Sequence, residues 1–215
     1  MNSYISSDSQ IIKETTSQIK KQNISHYKGL HLATAIQPIY SIDHQRTIGY
    51  EALIRATTRQ GEKVSPLTLL NMPDNEQDAI YLDKLCQFTH LNNFHQIVND
   101  NCWLFINISA LASEKGREFG DIFPELLKKF NIKPSNVVIE IIEDAATDKH
   151  KLLDAINYYK KMGCMIAIDD FGAGHSNFER VWNLQPDIVK LDRSMILRAM
   201  ESDIKQQMLS HSQDI

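Results

Sequence analysis

The sequence is short of the residues that cross-link, break or bend a chain. Only three cysteines occur, Cys86, Cys102 and Cys164, and no CxxC pair exists, so neither a zinc knuckle nor a disulfide framework is indicated. Each lies in or beside an apolar run, the usual setting of a buried reduced thiol in a cytosolic protein. Eight glycines and six prolines in 215 residues exclude a collagen-like or linker-dominated chain. No stretch reaches the ~20 apolar residues of a membrane span. The N-terminal MNSYISSDSQIIKETTSQIKKQ lacks the apolar centre of a secretory signal, so a cytoplasmic location is the expectation. No long basic block is present, and 23 Lys+Arg against 27 Asp+Glu leave a net charge of −4. That balance argues against DNA or RNA as a partner, because non-specific binding needs clustered positive charge. An anionic nucleotide stays within reach if a metal ion supplies the missing charge.

Several catalytic signatures are missing too. The eight histidines form no HExxH pair, which speaks against a zinc hydrolase. Gly172-Ala173-Gly174 lacks the third glycine and the lysine of a phosphate loop and reads as a tight turn. No serine sits in a nucleophile elbow.

What is present is an alternation of apolar strands and amphipathic helices. Residues 1–28 are rich in Ser, Thr, Gln, Lys and Asn and read as a polar flexible lead. Two strand-like runs follow, Ala35–Tyr40 and Ile48–Ile54, separated by the turn-like Asp43–Arg46. Spacing predicts a helix over 76–98, a strand over 103–109, a helix over 121–130 and a strand over 137–142. A helix capped by Thr147 and stopped by Gly163 comes next, then strand 165–168, a short helix near 176–183, strand 188–191 and a helix within 194–209. Buried strands separated by helices imply an α/β fold with a parallel sheet, either a barrel or an open doubly wound sheet.

Polar residues fall late in these strands: Glu51, Asn107, Glu140 with Glu143, Asp169-Asp170, and Lys190 with Asp192. In a parallel α/β architecture the C-terminal strand ends share the face where active sites lie. Carboxylates gathered there repel one another unless a cation neutralises them. Oxygen ligands from Asp, Glu and Asn suit hard divalent ions such as Mg²⁺ or Mn²⁺. Adjacent Asp169 and Asp170 can reach two ions, an arrangement suited to phosphodiester hydrolysis, with Lys190 on the attacking water or the phosphate charge. Taken singly, each residue also has a plainer reading. An acid at a strand end is often a helix cap, above all Glu143 and Asp192, and a lysine after apolar residues often snorkels to the surface.

In order, Gln37-Pro38-Ile39, Gly49-Tyr50-Glu51-Ala52-Leu53-Ile54-Arg55, Asn107-Ile108-Ser109, Glu140-Ile141-Ile142-Glu143, Asp169-Asp170-Phe171-Gly172-Ala173-Gly174 and Lys190-Leu191-Asp192 resemble the EAL domain family of bacterial cyclic di-GMP phosphodiesterases. The resemblance implies a modified TIM barrel with an antiparallel first strand. It implies hydrolysis of cyclic di-GMP to linear pGpG at a two-metal Mg²⁺ or Mn²⁺ site. Glu51, Asn107, Glu140 and Asp169 would hold the first metal, and Asp169 and Asp170 would reach the second. Lys190 and Glu51 take the catalytic roles, Lys190 by orienting the water. Gln37, Leu53, Arg55 and Asp192 become substrate contacts, with Arg55 on a phosphate, and Glu143 anchors the loop after Asp169-Asp170. His175 and Asn177 stand where the family usually has Tyr and Ser.

On this reading residues 29–215 form an EAL domain without its last two strand–helix units, about six of eight strands. Only 23 residues follow Asp192, whereas each unit needs roughly 30. The family's later Glu-Gly-Val-Glu segment, with a further metal ligand and general base, is not in the sequence, which leaves the enzyme assignment open. The expectation is a homodimer or a partner-completed barrel, since open edges favour association. The alternative function is an EAL module that binds cyclic di-GMP or a protein partner without turnover.

Overall fold

Residues Leu30–Ser41 and Arg46–Thr57 form the two longest strands, β2 and β3, paired antiparallel around the turn at Ile42–Gln45. In β2 the buried residues Leu30, Leu32 and Thr34 alternate with half-buried His31, Ala33 and Ala35, the period-two pattern of a strand with one covered face. The structure, a computed structural model, describes residues 22–96, 102–109, 122–142, 149–172 and 177–199. A short strand β1 (Ser25–Tyr27) pairs with the start of β2, and β4 (Lys63–Val64) with the end of β3. Strands β5 (Trp103–Ser109), β6 (Val137–Ile142), β7 (Met165–Phe171) and β8 (Ile188–Leu191) then add in sequence, each parallel to its neighbour, giving the order β1-β2-β3-β5-β6-β7-β8.

The sheet is therefore parallel from β3 onward with an antiparallel first long strand, and six strands, β2, β3 and β5–β8, make its barrel-like wall. Among the described residues, β8 has no strand on its far side and β2 pairs on its outer side only through Leu30–Leu32. Pro38, which has no N–H to donate, lies on that unpaired stretch of β2, the place in a sheet where proline costs least.

Helices cover the outer face. Among the described residues they are α1 (Pro66–Leu70), α2 (Glu76–Phe94), α3 (Phe123–Lys129), α4 (Lys149–Met162), α5 (Asn177–Leu184) and α6 (Arg193–Ala199), with a 3₁₀ turn at Pro134–Asn136. Asn75 caps α2 by accepting from the Asp78 N–H at 3.0 Å. Gly163 ends α4 at φ +94, a left-handed conformation that glycine adopts without strain, while Cys164 N–H closes back onto Tyr159 carbonyl at 3.0 Å.

The main core lies between sheet and helices. Leu104, Ile106 and Ile108 of β5, Val137 and Ile139 of β6, and Ile166 and Ile168 of β7 meet Phe94, Phe123, Leu127, Ile156 and Tyr159 there. The opposite strand faces form a second, smaller cluster of Phe105, Val138 and Ala167 with Ile39, Trp103, Met165 and Ile188. All three cysteines are buried. Burial pushes the Cys164 thiol up to about 12 and raises those of Cys86 and Cys102 as well.

Where prediction and structure differ, the causes are local. The helix expected over 76–98 ends at Phe94, and Val98 lies outside the described residues. The strand expected over 165–168 runs on to Phe171, so Asp169 and Asp170 lie within it. Thr147 and the residues after Ala199 lie outside the described residues. Strands β1 and β4 and helix α1 are too short to show a periodic pattern. Residues 22–27, grouped with the polar lead by composition, are tied down. The Asn93 amide accepts from Asn23 N–H at 2.8 Å and donates to Asn23 carbonyl at 3.0 Å, Ser25 and Thr89 hydroxyls lie 2.6 Å apart, and Tyr27 is buried.

Candidate metal and catalytic site

Strand alternation sorts the residues of the inner wall into two layers. Phe105, Val138, Ala167 and Ile188 form the lower one. Two residues further along the same strands come Asn107, Glu140, Asp169 and Lys190, because side chains at i and i+2 share a face. Register pairs Asn107 with Glu140 but sets Glu51 of β3 beside Phe105 and Gln37, and Glu140 beside Ala167, so the tilt of the strands rather than their register brings these residues to one level. An apolar floor thus carries a polar ring at the C-terminal ends of the parallel strands.

The ring closes tightly. Glu51, Glu140 and Asp169 each offer a carboxylate oxygen within 4.8 Å of the others. The Lys190 ammonium lies 2.8 Å from Glu140 Oε1, 3.2 Å from Glu51 Oε2 and 3.3 Å from Asp169 Oδ2. Asn107 Nδ2 points to Glu51 Oε1 at 3.5 Å, which leaves its Oδ1 as an unengaged oxygen donor. Glu140 is 1% exposed, and neither of its carboxylate oxygens has a hydrogen-bond partner of good geometry, so Lys190 meets it as an ion pair. Burial pushes the Glu140 carboxyl up to about 7 against the pull of Lys190, with the charges of Glu51 and Asp169 adding to the rise. For Lys190 burial works against the charged form, but Glu140, Glu51 and Asp169 outweigh it and hold the ammonium above lysine's ordinary value.

Asp170 lies exposed beside the group, at a backbone irregularity. A regular strand would send Asp169 and Asp170 to opposite faces. Here the β7–β8 register shifts between Ile168 and Phe171, and Asp170 takes a left-handed φ of +55. Its N–H donates to Asp169 Oδ1 at 3.0 Å. Loss of solvent raises its carboxyl, and the charges of Asp169, Asp192 and Glu51 raise it further, while Lys190 opposes them.

Around the ring, Leu53 and Arg55 follow Glu51 on the same face of β3, and Arg55 is exposed with Nη1 on Ile54 carbonyl at 2.8 Å. Opposite them in β2 stand Ala35 and Ala33, whose small side chains leave room beside Arg55. Those alanines were not singled out from sequence, although their alternation with Thr34 and Ile36 is visible there. Gln37 is exposed beside Glu51. Asp192 takes the helix-cap position: its Oδ1 accepts from Ser194 N–H at 2.8 Å at the start of α6. Glu143, His175 and the loop it was expected to anchor lie outside the described residues. The structure therefore brings together Glu51, Asn107, Glu140, Asp169, Asp170 and Lys190, with Gln37, Leu53 and Arg55 on the neighbouring strand positions.

Sequence reasoning missed a buried polar network on the outer side of β2. His90 Nδ1 and Thr34 Oγ1 lie 3.0 Å apart, and Asn93 Nδ2 lies 3.3 Å from the same hydroxyl. Asp83, also on α2, accepts from Ser109 N–H at 3.0 Å and from Gln87 Nε2 at 2.6 Å, so the helix grips the end of the strand that carries Asn107.

The chain is 29% identical over 180 residues to the probable cyclic di-GMP phosphodiesterase PdeI of Escherichia coli, covering 80% of this chain and 23% of that protein. It is 25% identical over 186 residues to the cyclic di-GMP phosphodiesterase PdeF of the same organism, covering 84% and 24%. The chain thus spans about a quarter of the length of these relatives. Among solved structures, a standalone EAL protein of Vibrio cholerae in its c-di-GMP-bound form superposes with a TM-score of 0.71 at 23% identity, over 85% of this chain and 75% of that one. The manganese and cyclic di-GMP complex of Klebsiella pneumoniae BlrP1 gives 0.73 at 23%, over 90% and 48%, which extends the likeness of fold. The Bacillus subtilis YkuI protein, solved with c-di-GMP and calcium, gives 0.63 at 28%, over 77% and 42%. The EAL domain family matches residues 19–214, from before β1 to beyond α6, and the chain belongs to that family.

Proposed function

We propose that this chain carries the catalytic ring of a metal-dependent phosphodiesterase that hydrolyses cyclic di-GMP to linear pGpG. One observation carries the reading: three carboxylates from three strands converge within 4.8 Å on the C-terminal face of the sheet. The donor set fits a hard divalent ion, Mg²⁺ or Mn²⁺, and the buried Glu140 oxygens without hydrogen-bond partners are the strongest sign of that fit. Glu51, Asn107, Glu140 and Asp169 would hold one ion and Asp169 with Asp170 a second. Bound there, such ions lower the pKa of water and offset phosphate charge.

The chain's own groups account for the rest. Lys190 orients the attacking water, and Glu51 holds the charge opposite it. Arg55 takes a phosphate through its guanidinium, suited to bidentate contact with phosphate oxygens. Gln37 and Leu53 contact the bases or riboses on either side, with Asp192 at the far rim and Glu143 steadying the following loop. The names of PdeI and PdeF support the substrate. Residues 29–215, joined by the strand at Ser25–Tyr27, would form this domain after a polar lead, in the cytoplasm. Among the described residues no strand pairs with the far side of β8, and β2 is paired on its outer side only at Leu30–Leu32, which favours a homodimer or a partner that completes the wall.

The test is incubation of the purified chain with cyclic di-GMP and Mn²⁺ or Mg²⁺, followed by separation of the products. Linear dinucleotide that disappears with chelator and in Glu51→Ala upholds the reading. Calorimetric binding of cyclic di-GMP without product assigns a binding module instead.

A further inference from the structure

The position of the Lys190 ammonium carries a consequence for ion binding, one that rests on the metal-dependent reading above. Its nitrogen lies 2.8, 3.2 and 3.3 Å from oxygens of Glu140, Glu51 and Asp169, the same three residues whose oxygens gather within 4.8 Å. A magnesium ion binds oxygen at about 2.0–2.1 Å. An ion bonded to these three oxygens from the side where the ammonium sits would lie within about 2 Å of its nitrogen, too close for two cations in a half-buried site. Both cannot occupy that side of the ring.

We propose that Lys190 is an exchangeable counter-ion: ammonium and divalent ion compete for one place among Glu51, Glu140 and Asp169, and ion binding expels the lysine. Two features make the exchange feasible. The Lys190 side chain is 25% exposed and rides on a flexible four-carbon stem, so it can leave without moving β8. Glu140 is buried and offers no other hydrogen bond, so its ionised form calls for a cation of one kind or the other beside it. The exchange links ion loading to reactivity, because the ammonium becomes free to meet water or phosphate only once the carboxylates have a replacement.

The full chain labelled with ¹⁵N-lysine tests this directly by NMR. Ammonium protons held against three carboxylates exchange slowly with solvent and give a visible signal, assigned through its loss in Lys190→Arg. That signal is expected to vanish in step with Mg²⁺ occupancy measured by calorimetry. Its persistence at saturating Mg²⁺ overturns the exchange. In parallel, Lys190→Met is expected to bind Mn²⁺ about tenfold more tightly, since the competing charge is gone. Equal or weaker binding counts against the proposal, and if that variant does not fold the wild-type NMR result decides alone. Glu51→Gln separates the two levels. Wild-type binding that Glu51→Gln abolishes upholds the metal site even when the ammonium signal persists. A wild type that binds no ion at millimolar concentration removes both.

Discussion

Glu51 and Lys190 stand 139 positions apart in the chain and 3.2 Å apart in space. The contact exists because β3 and β8 present their inner faces to the same end of the sheet. Replacing Glu51 by Gln keeps the shape and removes one of the three charges around Lys190. Divalent-ion binding is expected to weaken at least tenfold and hydrolysis at least a hundredfold, with the circular dichroism spectrum unchanged. Calorimetry with Mn²⁺ and a product assay read the two effects separately.

Arg55 is exposed on β3, faces Ala33 across the hairpin and makes its one described hydrogen bond to the Ile54 carbonyl. Arg55→Ala is therefore expected to leave the melting temperature nearly unchanged, since surface substitutions move stability by about 0.5 kcal/mol or less. KM for cyclic di-GMP should rise about tenfold or more. Arg55→Lys should recover only part of that loss, because an ammonium lacks the fork that matches two phosphate oxygens. Steady-state kinetics of the three proteins at fixed Mn²⁺ give the comparison.

Buried His90 and half-buried Asp83, both on α2, are shifted in opposite senses. Burial, aided by the charge of Arg55, lowers the His90 imidazole to about 4, while burial raises the Asp83 carboxyl to about 6 against its hydrogen bonds from Ser109 and Gln87. As pH falls from about 6.5 to 4, the unfolded chain protonates its histidine and native His90 does not, so stability drops. As pH falls from about 6 to 4, native Asp83 takes a proton that the unfolded chain does not, so stability climbs. The two contributions oppose each other at up to about 1.4 kcal/mol per pH unit each. Urea unfolding between pH 4.5 and 6.5 should then slope upward toward acid in His90→Gln and downward in Asp83→Asn, relative to the wild type. Parallel slopes in all three proteins would show that neither group is shifted.

Gly172 follows Phe171 at φ +95, and a Cβ built there would lie 2.6 Å from Met195 Sδ. Gly172→Ala is expected to cost about 1–2 kcal/mol through the left-handed backbone, with a further share from Met195. Adding Met195→Ala should return the share due to crowding and leave the backbone cost. A double-mutant cycle in thermal unfolding separates the two.

The ring was legible in the sequence because each strand carried one polar residue two places beyond an apolar one: Asn107 after Phe105, Glu140 after Val138, Lys190 after Ile188. Strand alternation alone then puts them on one face. Asp170 was legible only as a neighbour of Asp169. Its backbone depends on a bulge and a left-handed φ that no residue type announces. The polar stripe of α2 was hidden for a different reason. His90, Thr89 and Asn93 look like surface residues until Thr34, Ser25 and Asn23, 56 to 70 positions away, arrive to meet them. Asp192 was readable both as a rim residue and as a cap, and its bond to Ser194 is the capping one.

The three suppressed thiols have a practical consequence. With Cys86, Cys102 and Cys164 all enclosed and their thiolates disfavoured, a maleimide dye or nitroxide at neutral pH would find almost nothing to attack on the native molecule. A single cysteine introduced at an exposed position such as Trp182 would take the label selectively. Distances from such a reporter to bound Mn²⁺ could then be read spectroscopically without first stripping the natural sulfur from the interior.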